Sequence, residues 1–241
     1  ATITVNPLPA AITGTMAVCV GAISTLSSVT SGGVWSSNDI TVASIGSSDG
    51  IMTGVSSGST LIIYLLPTGC YRTITATVNP LPASITGTMT VCVGSATTLA
   101  DATAGGTWSS SAAGTATIDA GGVVTGVAAG VATITYTLST GCYITAAVSV
   151  NPLPAAITGT TSVYVGTTTT LSDAASGGVW SSNDISTATV GSTDGIVTGV
   201  APGSTLIIYL LPTGCYVTTT VTVSTLSTAI IGTLSVCTGN T

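Results

Sequence analysis

This sequence predicts an all-β protein built from small sandwiches in tandem, and three observations lead there. First, Gly58 to Tyr71 reads GSTLIIYLLPTGCY and Gly203 to Tyr216 repeats it letter for letter, while Gly130 to Tyr143, GVATITYTLSTGCY, keeps the framework with Thr in place of several aliphatics. Second, other landmarks recur in the same register, fixing a repeat of about 72 residues. Val-Cys-Val-Gly begins at Val18 and Val91, Val-Tyr-Val-Gly at Val163 and Val-Cys-Thr-Gly at Val236; Asn-Pro-Leu-Pro begins at Asn6, Asn79 and Asn151, giving way to Ser-Thr-Leu-Ser at Ser224. Third, short segments rich in Val, Ile, Thr and Tyr alternate with Gly, Ser, Asp and Pro, and no window has a helical period.

The landmarks divide the chain into a closing strand of a preceding repeat (1–10), three repeats (11–82, 83–154 and 155–227) and the opening strand of a following one (228–241). Both ends fall inside repeats, as in a window cut from a longer array. The second repeat is shorter at one turn, where Ile45-Gly-Ser-Ser-Asp-Gly-Ile51 is matched by Ile118-Asp-Ala-Gly-Gly-Val123; a hairpin tip tolerates such a change best. Within the second repeat the pattern predicts seven strands, near Ile85–Val93, Thr97–Ala100, Gly106–Ser110, Ala116–Asp119, Val123–Val127, Val131–Leu138 and Tyr143–Val150. Gly-Gly-x-Trp puts Trp35, Trp108 and Trp180 on the third strand of each repeat. Short strands at this spacing around a buried Trp predict tandem immunoglobulin-like β-sandwiches of about seven strands each.

The motifs Gly-Gly-Thr-Trp-Ser-Ser-Ser at 105–111, Ala-Thr-Ile-Asp at 116–119, Gly-Val-Val-Thr-Gly-Val at 122–127 and Gly-Val-Ala-Thr-Ile-Thr-Tyr at 130–136 resemble the bacterial immunoglobulin-like domain of the group 2 type. The resemblance extends to all three repeats. It implies a fold, and a setting: such domains occur in tandem in secreted and surface proteins of bacteria, including adhesins of the invasin and intimin kind. Of function it implies only an extracellular, structural or adhesive role, because domains of this kind are usually spacers.

The six cysteines include no Cys-x-x-Cys pair and the chain has no His, so disulfides in an oxidising compartment are expected rather than a metal site. In the predicted fold the end of the first strand segment and the start of the last can run side by side, which pairs Cys19 with Cys70 and Cys92 with Cys142. Each bond would close a loop worth about 4 kcal/mol in the chain-entropy account, a large term for a domain small enough to bury only about 60% of its unfolded surface. In the third repeat Tyr164 stands where Cys215 would need a partner, and Cys237 belongs to the fourth. Cys215 is therefore free and buried, paired with Cys237 across the junction, or paired between molecules.

Alternation along the repeated string gives a second candidate site. In Gly130–Leu138 the residues Ala132, Ile134, Tyr136 and Leu138 share one face and Thr133, Thr135 and Thr137 the other, as in a half-buried antiparallel strand. In the first repeat the same register turns Thr60, Ile62, Tyr64 and Leu66 inward and Leu61, Ile63 and Leu65 outward. In the third the outward row is Leu206, Ile208 and Leu210. A contiguous outward aliphatic row marks a contact, either with a loop or neighbouring domain of the same chain or with another chain. Partners should then alternate along the array with a two-repeat period.

Charge removes several function classes. Seven acidic residues, all Asp, face a single cation, Arg72, giving a net charge of -6. Binding to nucleic acid or to anionic lipid has no electrostatic basis. Thr, Ser, Gly, Asn and Pro interrupt every apolar run before membrane-spanning length, even in the uncharged stretch from Ala120 to Ser172, so no membrane insertion is expected. With no His, Lys or Glu, hydroxyl groups have no activator of the usual kinds. Asp39 and Asp184, then Asp49 and Asp194, recur at equivalent turns, where turn chemistry accounts for them. No catalytic, cofactor or metal site is expected; the linkers at Asn79-Pro-Leu-Pro and Asn151-Pro-Leu-Pro contain no carboxylate for calcium, and their prolines set a stiff connection instead.

The reading is a non-catalytic structural region of a secreted bacterial protein, extracellular or on the cell surface, without small-molecule substrate, whose partners are copies of itself packed laterally into a filament or sheath. The alternative is a spacer stalk of an adhesin whose binding tip lies outside this chain. A ligand-binding module ranks third, since the three Trp occupy one repeated core position and leave no extra aromatic cluster.

Overall fold

The computed structural model describes residues 1–226 and contains only strands there. The chain divides into two compact units, Ala1–Val150 and Asn151–Thr241. The first holds two sandwiches and the second one.

In the first sandwich, one sheet runs in the order Ala17–Cys19, Tyr71–Asn79, Gly58–Leu65, Val34–Ser37, and the facing sheet in the order Ile23–Thr25, Ile51–Gly54, Ala43–Ile45. The second repeats this with Thr90–Cys92, Tyr143–Asn151, Gly130–Thr137 and Thr107–Ser110 against Thr86–Gly87, Ala96–Ala100, Val123–Gly126 and Ala116–Ile118. The unit from Asn151 has Ser162–Tyr164, Tyr216–Ser224, Gly203–Leu210 and Val179–Ser182 against Thr158–Gly159, Thr168–Ser172, Ile196–Gly199 and Ala188–Val190. Each sandwich closes over its own core. Leu26, Met52 and Ile62 fill the first, Leu99, Val124 and Ile134 the second, Leu171, Val197 and Ile207 the third.

The opening segment, expected as one strand over Ile85–Val93, is two. Thr86–Gly87 pairs antiparallel with Leu99–Ala100 in one sheet, and Thr90–Cys92 lies beside Tyr143–Asn151 in the other. Gly87 makes the switch. Its φ is 121°, and an added Cβ would stand 2.5 Å from the carbonyl oxygen of Thr98, so a side chain would be both strained and in collision.

The Trp of each repeat packs against a Tyr directly opposite it in the sheet. Trp35 pairs with Tyr64, Trp108 with Tyr136 and Trp180 with Tyr209, with ring centroids 4.5, 4.6 and 4.6 Å apart. The phenol does more than fill space. Tyr136 Oη accepts the N–H of Gly106 at 2.9 Å and donates to the carbonyl of Thr103 at 2.7 Å; Tyr64 bridges Gly33 and Thr30, and Tyr209 bridges Gly178 and Ala175. The glycine is required by the approach of the ring, since a Cβ on Gly106 would lie 2.5 Å from Tyr136 Cζ.

Candidate functional site

Two features of this scaffold bear on function: the cysteines and the outer face of the longest hairpin. The expected pairs Cys19–Cys70 and Cys92–Cys142 do not form. Cys19 is bonded to Cys142, a separation of 123 residues that crosses from the first sandwich to the second. The cause is strand direction. Ala17–Cys19 runs parallel to the closing strand, with Cys19 opposite Asn79 at its far end, whereas Cys70 stands just before that strand begins at Tyr71. Nine residues of extended chain separate the two ends by about 30 Å, far beyond the Cα spacing a disulfide spans. The cysteine that does reach Cys19 is the one at the start of the next closing strand. Cys142 Sγ lies 4.0 Å from the carbonyl oxygen of Asn79, the residue beside Cys19, and the bond closes with Cα atoms 5.6 Å apart.

Cys92 and Cys215 are also disulfide-bonded, so Cys215 is not the free thiol that was one of its expected fates. Among the described residues Cys70 has no disulfide partner, and it is half-exposed. Cys237 lies outside the described residues.

The face of Gly58–Leu65 opposite the core carries Leu61, Ile63 and Leu65, while Thr60, Ile62, Tyr64 and Leu66 are buried. Leu61 and Leu65 are 42% and 43% exposed, and Leu206 and Leu210 in the third repeat are 41% and 43% exposed; Ile63 and Ile208 are half-buried between them. Cross-strand neighbours extend the row. Leu65 is flanked by Val34 and Tyr71, and Leu210 by Val179 and Tyr216, all exposed; residues directly opposite in a sheet share a face. Leu206, Ile208, Leu210 and Tyr216 line a shallow depression of about 380 Å³. In the second repeat Thr133, Thr135 and Thr137 take these places.

The acidic residues serve turns. Thr41 donates its hydroxyl and its N–H to Asp39 Oδ1 at 2.6 and 2.9 Å, and these bonds hold the carboxyl below the usual aspartate range. Asp184 is held low chiefly by the hydroxyls of Ser186 and Thr187, with the N–H of Ser186 adding to them. Asp101 and Asp173 close turns through Oδ1 but leave a buried Oδ2 without a partner. Arg72 Nε donates to the carbonyl of Pro9 at 2.7 Å, tying the preceding proline segment to the first sandwich.

No protein-family model and no curated protein matches the chain. Solved structures do. Domains 1–6 of the surface layer protein SbsC match over 92% of this chain and 41% of their own at 20% identity and a TM-score of 0.28. Invasin, a bacterial integrin-binding protein, matches over 88% of this chain and 58% of its own at 13% identity and a TM-score of 0.40. The C-terminal fragment of intimin matches over 58% of this chain and 63% of its own at 18% identity and a TM-score of 0.39. The chain thus spans about two fifths of the surface-layer structures it resembles. Identities and TM-scores this low decide neither family nor function. The strand order and the three separate cores do establish the architecture. The chain is a tandem array of immunoglobulin-like sandwiches.

Proposed function

We propose that this chain is part of the structural repeat region of a secreted bacterial protein, of the group 2 immunoglobulin-like type, with repeats at 11–82, 83–154 and 155–227 that pack laterally against copies of themselves. The observation that carries this reading is the outward aliphatic row of the first and third repeats, Leu61, Ile63, Leu65 and Leu206, Ile208, Leu210. An apolar row rimmed by Thr and Ser loses little by desolvating its surroundings, because hydroxyls can find partners across a contact whereas charges would have to be stripped of water. The chain's single cation and scattered carboxylates leave such a face almost uncharged. The disulfides support an oxidising, extracellular location, and a chain without His, Lys or Glu supports a non-catalytic role.

Sedimentation velocity tests the reading. The variant with Leu61, Ile63, Leu65, Leu206, Ile208 and Leu210 all replaced by Thr, which reproduces the chemistry of the second repeat, is expected to keep its far-ultraviolet circular dichroism and to run as a single chain under conditions where the parent associates. Association undiminished in that variant would overturn the proposal. A stiff adhesin stalk is the second reading, favoured by one observation: the Cys19–Cys142 bond braces one sandwich against the next, which a spacer under load also requires.

A further inference from the structure

Cys70 occupies the same place in the first repeat as Cys142 in the second and Cys215 in the third, at the head of the closing strand in Thr-Gly-Cys-Tyr. The surroundings match as well as the sequence. Its sulfur faces the carbonyl of Asn6 at 3.6 Å, as Cys142 faces Asn79 at 4.0 Å and Cys215 faces Asn151 at 3.9 Å. Both equivalents are disulfide-bonded, and for Cys142 the other half is the opening-strand cysteine of the repeat before it. Cys142 and Cys215 are almost fully buried, whereas Cys70 is half-exposed and has no disulfide partner among the described residues.

We propose that Cys70 is the receiving half of an inter-repeat disulfide, and that its partner is an opening-strand cysteine of the Val-Cys-Val-Gly or Val-Cys-Thr-Gly kind from a repeat other than the three complete ones here. Geometry selects the partner class. Cys19, the opening-strand cysteine of the same repeat, is held at the opposite end of the closing strand and is already bonded, so the bond has to come from a second repeat stacked on the Asn6 side. Such a thiol has two possible sources: Cys237 of a second copy, or an opening-strand cysteine of a repeat joined ahead of residue 1. In either case two thiols give up two protons and two electrons to a disulfide oxidant, whose own S–S bond is reduced to two thiols as the new S–S bond forms. The linkage would continue the bracing of Cys19–Cys142 into the neighbouring repeat. It rests on the reading of the protein as secreted.

Non-reducing peptide mapping of the native protein tests this, with iodoacetamide present in excess throughout unfolding in guanidinium, so that buried as well as exposed free thiols are marked. Cleavage ahead of Asp and after Arg72 isolates Cys70 on residues 49–72, apart from Cys92 on 73–100. The expected result is no alkyl label on Cys70 and a 49–72 peptide disulfide-linked to an opening-strand peptide. Linkage to the 194–241 peptide, assigned to Cys237 rather than Cys215 by fragment-ion mass and accompanied by a covalent dimer in non-reducing electrophoresis, identifies a second copy as the source, and linkage to a Val-Cys-Val-Gly peptide foreign to this sequence identifies a preceding repeat. Cys70 fully alkylated while Cys19 and Cys142 remain linked would overturn the proposal alone. Alkylation of all the cysteines would overturn it together with the extracellular reading.

Discussion

Replacing Cys19 and Cys142 together by Ser removes a bond that joins two sandwiches with separate cores. In the chain-entropy account its worth follows from the length of chain it closes in the unfolded state, and a separation of 123 residues gives about 16 cal/mol/K, or about 5 kcal/mol at 25 °C. That figure is an upper one, because Cys92 lies inside the closed segment and is itself disulfide-bonded, so the serine variant still unfolds to a tethered chain. The expected loss is about 3–5 kcal/mol. Guanidinium titration followed by tryptophan fluorescence reads it in a Trp180→Phe background, where the remaining Trp35 and Trp108 report on one sandwich each and both stack on a tyrosine. The bond also makes each sandwich's unfolding depend on the other, so the variant should spread a coincident transition into two. A loss below about 1 kcal/mol, with both tryptophans still unfolding together, would refute the entropic argument and point to coupling through packing at the Asn79 linker instead.

Three further outcomes follow from local chemistry. Tyr136→Phe strips the partner from the Gly106 N–H and the Thr103 carbonyl; the cost should be about 1–3 kcal/mol, and hydrogen exchange should show the Gly106 amide losing protection, with Tyr64→Phe and Tyr209→Phe behaving alike at Gly33 and Gly178. Asp101→Ser keeps a turn acceptor of the kind Ser28 provides in the first repeat while removing the buried, unpartnered Oδ2, so thermal unfolding at neutral pH should show a gain of about 1 kcal/mol. Asp39 and Asp184 have carboxyls held low in the folded protein. Their contribution is therefore present above the unfolded-state value and is lost as pH falls through the folded one; melting curves from pH 5 to pH 2 should fall less steeply for Asp39→Asn with Asp184→Asn than for the parent, the difference being small because both groups are fully exposed.

Much of the architecture could be read from the repeats because alternation and turn residues act locally. In the second repeat six of the seven expected strands coincide with observed ones to within a residue or so at each end. The outward direction of Leu61, Ile63 and Leu65 follows from a period of two once any one core residue is fixed. The broken opening strand was less visible, since Ile85–Val93 has continuous β composition and only Gly87 marks the switch between sheets. The cysteine partners could not be read from composition or alternation at all. They depend on whether the opening and closing strands run parallel, which no residue in either strand encodes, and a parallel neighbour sends Cys19 away from Cys70 and towards the next repeat. The tyrosine hydroxyl bridge leaves a trace in the sequence: Gly33, Gly106 and Gly178 each precede the Trp strand at the same spacing, and a glycine repeated without a turn to justify it points to a close approach.

Electron microscopy of the native particle tests the central claim most directly. A lone sandwich, two sheets about 10 Å apart with their side chains and loops, gives a thread about 25 Å across. Lateral packing through the Leu61 and Leu206 rows predicts a filament several times that width, with neighbouring chains in contact every second repeat. A thread only one sandwich wide would contradict it and leave the repeats as a spacer.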